Sequence, residues 1–125
     1  LELLIENLSK ERAFKRLGVT TEDRIELLLV KQIIRLQGES NYTRIFMEGG
    51  KSILVSKTLV ECEDLLRDLG FLRVHKTHLV NLDSVKSMEK NGDLNLVLND
   101  GSIVPVSRRR KAGVVEILRL FNLPN

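Results

Sequence analysis

The pattern of hydrophobic and polar residues divides the chain into a helical start, a long β-rich middle and a helical end. In the first stretch, apolar residues recur about every 3.6 positions, the period of an amphipathic helix; they are Leu1, Leu4, Ile5 and Leu8. Gly18 follows two basic residues and is a typical helix stop. The spacing therefore predicts a helix over Leu1–Leu17, and the stretch Val19–Asp23 is predicted to be a linker.

The middle of the chain alternates short apolar runs with turn residues, which is typical of an antiparallel β domain. Gly49-Gly50, Asn91-Gly92 and Asp100-Gly101 predict tight hairpin turns. The runs predicted to be strands are Ile33–Leu36, Thr43–Met47, Ser52–Val55, Leu72–His75, His78–Leu82, Val85–Met88, Leu94–Leu98 and Ile103–Val106. Pro105 cannot donate a ladder hydrogen bond, so the last run is expected at a sheet edge or a strand end.

Two further helices are predicted. Thr58 and Glu61 have capping-box spacing and indicate a helix start. The apolar stripe that follows consists of Leu59, Cys62, Leu65, Leu66 and Leu69, and Gly70 ends it. Ser107 is expected to cap a final helix that runs to about Phe121. Its expected apolar contacts are Val114, Val115, Ile117, Leu118 and Leu120. The elements together predict a mainly β fold with one short internal helix and helices at both termini.

Composition sets the class of protein. A chain of 125 residues with 42% hydrophobic and 30% charged residues can form one globular domain with its own core. The net charge of +3 and the pI of about 9.2 favour an acidic partner. The single cysteine, Cys62, is expected in the core, excludes an internal disulfide and fits a reducing compartment such as the cytoplasm. No apolar run has membrane-spanning length, and because the chain begins at Leu1 we expect a fragment of a longer protein.

Four consecutive cations, Arg108, Arg109, Arg110 and Lys111, stand where the last helix is predicted to begin. Positive side chains in a first helical turn oppose the helix dipole, and a bound phosphate would reverse the sign of that interaction. The cluster therefore indicates a nucleic-acid contact. A solvated charged face is the alternative.

A second polar stretch, His75-Lys76-Thr77-His78, lies at a predicted corner between two strands. The two histidines lack further ligands at zinc-site spacing, so a metal site is not predicted. His75 shares a strand face with Phe71, and we expect it to be the more internal of the pair if Phe71 points inward. Lys76 and Thr77 would then project as contacts to phosphates or base edges.

The third candidate is the polar loop Glu39–Thr43, where Asn41 and Tyr42 could bind phosphate or read bases. Ordinary turn chemistry is the alternative for this loop. Enzymatic activity is not predicted, because no serine lies in a nucleophile elbow and no glycine-rich phosphate loop is present. No cofactor is expected.

Several segments together resemble the LytTR DNA-binding domain of bacterial response regulators. They are Gly38–Thr43, Val55–Leu59, Phe71–Asn81, Asp100-Gly101 and Ile103–Arg109. The combination of Phe-x-Arg-x-His-x-x-x-x-Val-Asn with a later Val-Ser-Arg carries the resemblance, which covers about Ile33 to Leu118.

The resemblance implies an elongated stack of small antiparallel sheets whose loops enter successive major grooves of double-stranded DNA. By position, Tyr42, Lys76 and Arg108 match the contact residue of each loop, and an arginine fork suits the O6 and N7 atoms of guanine. The expected flanking phosphate contacts are Asn41, Thr77, Arg109, Arg110 and Lys111. Paired half-sites, a homodimer on DNA and an upstream receiver domain are also implied. Residues 1–22 would be the connector from that domain, and residues 23–125 the DNA-binding domain.

One segment departs from the family pattern. Between Arg24 and Ile33 the family has a strand, a turn and a strand, and Ile25–Gln32 is too short for them. Either a hairpin has been lost or a mobile loop is absent from the sequence, and we favour the missing loop. The rival hypothesis for function is a β-rich interaction module that binds an acidic protein through the same basic surface.

Overall fold

The computed structural model describes residues 15–121, which form ten β-strands and two α-helices. The strands are β1 Arg16–Thr20, β2 Ile25–Leu29, β3 Ile33–Glu39, β4 Tyr42–Met47, β5 Ser52–Val55, β6 Phe71–His75, β7 His78–Asn81, β8 Val85–Asn91, β9 Asp93–Leu98 and β10 Ile103–Pro105. The helices are α1 Leu59–Leu65 and α2 Lys111–Phe121. Short 3-10 turns cover Val30–Gln32, Glu48–Gly50, Leu82–Ser84 and Arg108–Arg110.

The strands form three separate antiparallel sheets. β1 and β2 make a two-stranded sheet, β10-β9-β8 make a three-stranded sheet, and β5-β4-β3-β7-β6 make the central five-stranded sheet. The sequence predictions of a mainly β fold and of small antiparallel sheets are therefore confirmed.

The central sheet separates two hydrophobic cores because side chains alternate between its faces. Leu36 and Leu79 join a first core with the β1–β2 sheet and α1. Ile34 and Val80 join a second core with the β8–β10 sheet and α2. The register between β3 and β4 shifts between Ile33 and Arg35, a local irregularity at the start of the sheet. Two layers thus pack on opposite faces of one shared sheet.

Glycine makes the predicted hairpins possible. Gly92 connects β8 to β9 with a φ of 82°, and Gly101 follows β9 with a φ of 88°. Both angles lie in the left-handed region, where other residues are strained. Pro105 ends the edge strand β10, as its missing N–H predicted.

The start of the described chain differs from the prediction. Residues Arg16–Thr20 form a strand, so the helix does not extend over Arg16 and Leu17, and Val19 and Thr20 are not linker. Leu17 and Val19 point into the first core while their neighbours are exposed, a period of two rather than 3.6. The rest of the predicted helix, residues 1–14, lies outside the described residues.

This strand also overturns the missing-loop hypothesis. β1 pairs along its whole length with β2, from Arg16 opposite Leu29 to Thr20 opposite Ile25. The strand, turn and strand that precede β3 are therefore present. They begin earlier in the chain than the sequence comparison assumed, because β1 was assigned to the helix.

Both helices differ in detail from their predictions. Leu65 is 50% exposed and Leu120 is 40% exposed, so neither is a core contact. Leu59, Cys62, Leu66 and Leu69 are buried as predicted. Ser107 occupies the N-cap of the Arg108–Arg110 turn without a side-chain capping bond, and α2 begins only at Lys111. Among residues 15–121, no helix is long and apolar enough to span a membrane.

Candidate nucleic-acid interface

The three polar segments singled out in the sequence lie next to one another in the fold. The amide of Gly38, before the β3–β4 turn, donates to the carbonyl oxygen of Thr77 in the β6–β7 turn at 3.0 Å. The amide of Ser107 donates to the carbonyl oxygen of Val74 on β6, also at 3.0 Å. We call the three segments together the turn surface: Ser40–Tyr42, Lys76-Thr77 and Arg108–Lys111. Backbone hydrogen bonds therefore connect its three parts in a row.

The β3–β4 turn presents Asn41 and Tyr42 to solvent. Glu39 pairs with Tyr42 across the hairpin, and Ser40 adopts a φ of 61°, so the reversal is tight. Tyr42 is 48% exposed, while its neighbour Thr43 is buried and donates through Oγ1 to the carbonyl oxygen of Lys57 at 2.7 Å. The buried threonine holds the start of β4 and leaves the tyrosine ring facing outward.

The β6–β7 turn has an exposed cation and a more enclosed threonine. Lys76 is exposed, whereas Thr77 is half-buried. The Nδ1 atom of His75 accepts from the Thr77 amide at 3.1 Å and lies 3.1 Å from the Thr77 hydroxyl. Lys76 is thus free to meet a ligand, and the Thr77 side chain is partly engaged within the turn.

The two histidines differ in a way that the sequence did not predict. Both rings are half-buried, with centroids 5.4 Å apart, but it is the Nδ1 atom of His78 that is enclosed without a hydrogen-bond partner. Burial, then the charges of His75 and Arg35, lower the pKa of His78 to about 4. The expectation that His75 is the internal histidine is therefore wrong. β7 lies inside the central sheet, whereas β6 is its last strand.

The Arg108–Lys111 segment carries four of the five cations of the turn surface. Arg108, Arg109 and Lys111 are exposed, and Arg110 is half-buried beside Leu72 and Val114 in a shallow depression. The Arg108 side chain is 93% exposed and lies 3.7 Å from the exposed Asp93 carboxylate. Such a surface pair contributes little and leaves the guanidinium accessible.

Two arginines near the turn surface are not exposed cations. The Arg35 guanidinium lies 3.7 Å above the centre of the Phe46 ring, a cation–π contact, and burial lowers its pKa. Arg73 is 14% exposed and bonds to groups of the protein. Arg73 is the arginine of the Phe-x-Arg-x-His motif, and no role was predicted for it from the sequence. Its position on β6, just before a tight turn, is the signal from which a role in that turn could have been predicted.

The described residues offer no alternative site of metal chemistry. Between residues 15 and 121, no group of three or more His, Cys, Asp or Glu side chains is arranged to hold a metal ion. Cys62 is buried on α1, and burial raises the pKa of its thiol. The exposed cations of the turn surface suit a negatively charged ligand.

Comparisons with known proteins identify the family and the fold of this chain. The model of the LytTr DNA-binding domain family matches residues 23–119. A solved LytTr DNA-binding domain of a Bacillus cereus response regulator superposes with a TM-score of 0.72 and 22% identity, over 83% of this chain and 96% of that one. At that identity the structural likeness shows the fold.

Three curated relatives are longer than this chain. The chain is 36% identical to the heme-containing CO-sensing transcriptional regulator RcoM 1 of Paraburkholderia xenovorans, over 88% of this chain and 42% of that protein. It is 31% identical to the sensory transduction protein LytT of Bacillus subtilis, over 84% of this chain and 44% of that protein. It is 31% identical to the transcriptional regulatory protein BtsR of Escherichia coli, over 96% of this chain and 48% of that protein. The chain thus spans less than half the length of each relative.

Proposed function

Because this chain belongs to the LytTr DNA-binding domain family, we propose that its turn surface binds double-stranded DNA in a sequence-specific way, as the effector domain of a bacterial two-component transcriptional regulator. The three parts of the turn surface would enter successive major grooves. The named relatives include a sensory transduction protein and two transcriptional regulators, which supports this context.

The observation that carries the proposal is the alignment of three exposed turns by backbone hydrogen bonds. The Gly38–Thr77 and Ser107–Val74 bonds tie the turns to one sheet, which is a rigid platform. Side chains on such a platform keep their spacing, and fixed spacing is what reading separate base pairs requires. Exposed Lys76, Arg108 and Arg109 supply charge for the phosphate backbone.

We assign different tasks to the residues of the turn surface. Arg108 reads a guanine through its two-pronged guanidinium, with Tyr42 and Lys76 as the contacts of the other two turns. Five further residues of the turn surface bind phosphates: Asn41, Thr77, Arg109, Arg110 and Lys111. Base contacts would give specificity, and phosphate contacts would give affinity and orientation.

The assembly follows from the same proposal. The domain binds paired half-sites as a homodimer, and an upstream receiver domain, joined through residues 1–22, controls it. The protein works in the cytoplasm and catalyses no reaction. Dimerisation could belong to the receiver, so the isolated domain can be a monomer in solution.

The proposal is tested by selecting binding sites from a randomised duplex library. We expect enrichment of two similar motifs about one helical turn apart. Arg108→Ala should weaken binding to the selected duplex by about 1–3 kcal/mol and relax the preference at one base pair. Arg67→Ala is the matched control, because Arg67 is also an exposed arginine but lies beyond α1 and pairs with Asp64.

Two outcomes would count against the proposal. An equal loss for Arg108→Ala on selected and scrambled DNA would remove the base-reading role. Weak, salt-sensitive binding with no enriched motif would leave only a basic surface, and retained binding to an acidic peptide would then favour the protein-interaction alternative.

A further inference from the structure

The guanidinium of Arg73 holds together three parts of the structure around the β6–β7 turn. Its Nε atom donates to the carbonyl oxygen of His75 at 2.9 Å, and one terminal nitrogen donates to the carbonyl oxygen of Lys76. The other terminal nitrogen donates to the carboxylate of Glu63 on α1 at 2.8 Å. One side chain thus binds two consecutive turn carbonyls and a helix.

In this arrangement the N–H groups of Arg73 donate to groups of the protein itself. Only 14% of the side chain is exposed, against 93% for Arg108. Each of the three guanidinium nitrogens has a partner in the protein, and the two N–H donors that remain belong to a side chain that is only 14% exposed. A lysine at this position would keep the charge but has a single nitrogen, and it could not bind both carbonyls and Glu63 in the same fixed geometry.

A second contact holds the same turn. The Nδ1 atom of His75 accepts from the Thr77 amide at 3.1 Å. Arg73 therefore fixes the carbonyls of residues 75 and 76, and His75 fixes the amide of residue 77. The backbone on both sides of the Lys76 side chain is held, although that side chain is itself exposed.

We propose that Arg73, braced by Glu63, is a positioning residue that sets the conformation of the β6–β7 turn and so determines which bases Lys76 can discriminate. The inference rests on the proposed function, because it concerns how one turn of that DNA-binding surface is presented. Arg73 itself contacts no DNA. Its charge contributes to specificity through the turn and not through a phosphate.

The first test is made on the free protein, without DNA. Amide hydrogen exchange should become at least about tenfold faster at Thr77 and at Gly38 in Arg73→Lys, because both amides are bonded within or to the turn. The amide of Met47, bonded to the carbonyl of Lys51 at the β4–β5 turn, should not change and reports intact folding. Unchanged exchange at Thr77 and Gly38 in a folded Arg73→Lys protein would overturn the proposal.

The second test uses DNA selected by the unsubstituted protein. Arg73→Lys should lose about five- to tenfold of the preference at the base pairs facing the β6–β7 turn, and keep the preference read by Arg108. The slope of log affinity against log salt should stay the same. Because lysine keeps the charge, Arg73→Gln is measured as well, and a slope reduced by about one in that variant would make Arg73 a phosphate contact and overturn the proposal.

Two further variants separate the possible outcomes. Glu63→Ala removes the contact between α1 and Arg73, and it should raise amide exchange at Thr77 less than Arg73→Lys does. If Arg73→Lys does not fold, the exchange measured in Glu63→Ala decides whether Arg73 holds the turn. Arg67→Lys, at an arginine 70% exposed and paired with Asp64, is the matched control and should change neither reading. If the unsubstituted protein selects no DNA, the proposed function fails, and the exchange data alone still decide whether Arg73 holds the turn.

Discussion

At the scale of single residues, position decides which cations can meet a ligand. Arg73 and Arg108 contribute equally to the net charge, yet Arg73 is 14% exposed and Arg108 is 93% exposed. A sequence count treats the two alike. Their separate environments assign one to the interior of a turn and the other to solvent.

Arg110 tests the phosphate half of the proposed division of tasks. Arg110→Ala should lower affinity on selected and scrambled duplexes alike and reduce the salt slope by about one, because one counterion fewer is released. Fluorescence anisotropy over a salt series measures this. Since Arg110 is half-buried beside Leu72, an unchanged slope would return it to a packing role.

His78 makes stability depend on pH. The pKa of His78 in the folded state is about 4, below the ordinary 6.5. Between pH 4 and pH 6.5 the unfolded chain therefore binds a proton at this residue and the folded chain does not. Stability from this group is complete above pH 6.5 and falls as the pH drops toward 4. Allowing for solvent screening at this half-exposed ring, we expect a loss of about 1–2 kcal/mol between pH 7.5 and 4.5.

Urea unfolding of the unsubstituted protein and of His78→Gln at both pH values measures this loss. The variant should lose less stability on acidification, because its side chain does not titrate. Carboxylates contribute equally to both proteins and cancel in the comparison. An identical pH dependence in the two proteins would contradict the assignment to His78.

At the scale of elements, local signals predicted the strands and helix ends well. Thr58 Oγ1 accepts from the Glu61 amide and Glu61 Oε1 accepts from the Thr58 amide, each at 3.2 Å, which is the capping box that the spacing indicated. The Thr58 amide and the Thr58 hydroxyl both donate to the Glu61 carboxylate, and these two hydrogen bonds lower the pKa of that group. Strand β1 was misassigned, because Gly18 and the basic residues before it were taken as the end of the preceding helix.

Removing the cap of α1 should be measurable. Thr58→Ala leaves the Glu61 amide without its side-chain acceptor and should lower the free energy of unfolding by about 1 kcal/mol, within a range of about 0.5–2. Ser56→Ala, at an exposed position of the preceding segment, should change it by less than about 0.5 kcal/mol. Thermal or urea unfolding measures both variants. Equal changes in the free energy of unfolding would show that the Thr58 cap does not stabilise α1.

At the scale of the whole molecule, the central sheet belongs to both cores, so damage to either core should destabilise both. Leu36 in the first core and Leu96 in the second are fully buried. We expect Leu36→Ala and Leu96→Ala each to cost about 2–5 kcal/mol. Leu54→Ala, at a side chain 41% exposed, is the control and should cost much less.

Urea titration followed by amide NMR signals tests whether the two cores unfold together. Signals from β1–β2 and from β8–β9 should disappear at the same urea concentration in each variant, as for a single cooperative unit. If Leu96→Ala melts β8–β9 and leaves β1–β2 intact, the layers are separate folding units.

The sequence by itself determined the features that depend on near neighbours. Alternating apolar residues, glycines at tight turns and the Thr58–Glu61 spacing act within a few positions, and they predicted eight of the ten described strands and the start of α1. The resemblance to a known family located the three segments of the turn surface. The DNA contacts of their residues stay predictions.

Only the tertiary structure decided which strands share a sheet, which face of the central sheet lies in which core, and how the three turns line up. It also decided that β1 is a strand, that His78 is the histidine with an enclosed nitrogen and that Arg73 points inward. Each of these depends on a partner outside the segment's own pattern: β1 on β2, His78 on its place beside β3, and Arg73 on Glu63. Burial and long-range pairing are set by the packing of distant segments, which no short-range pattern contains.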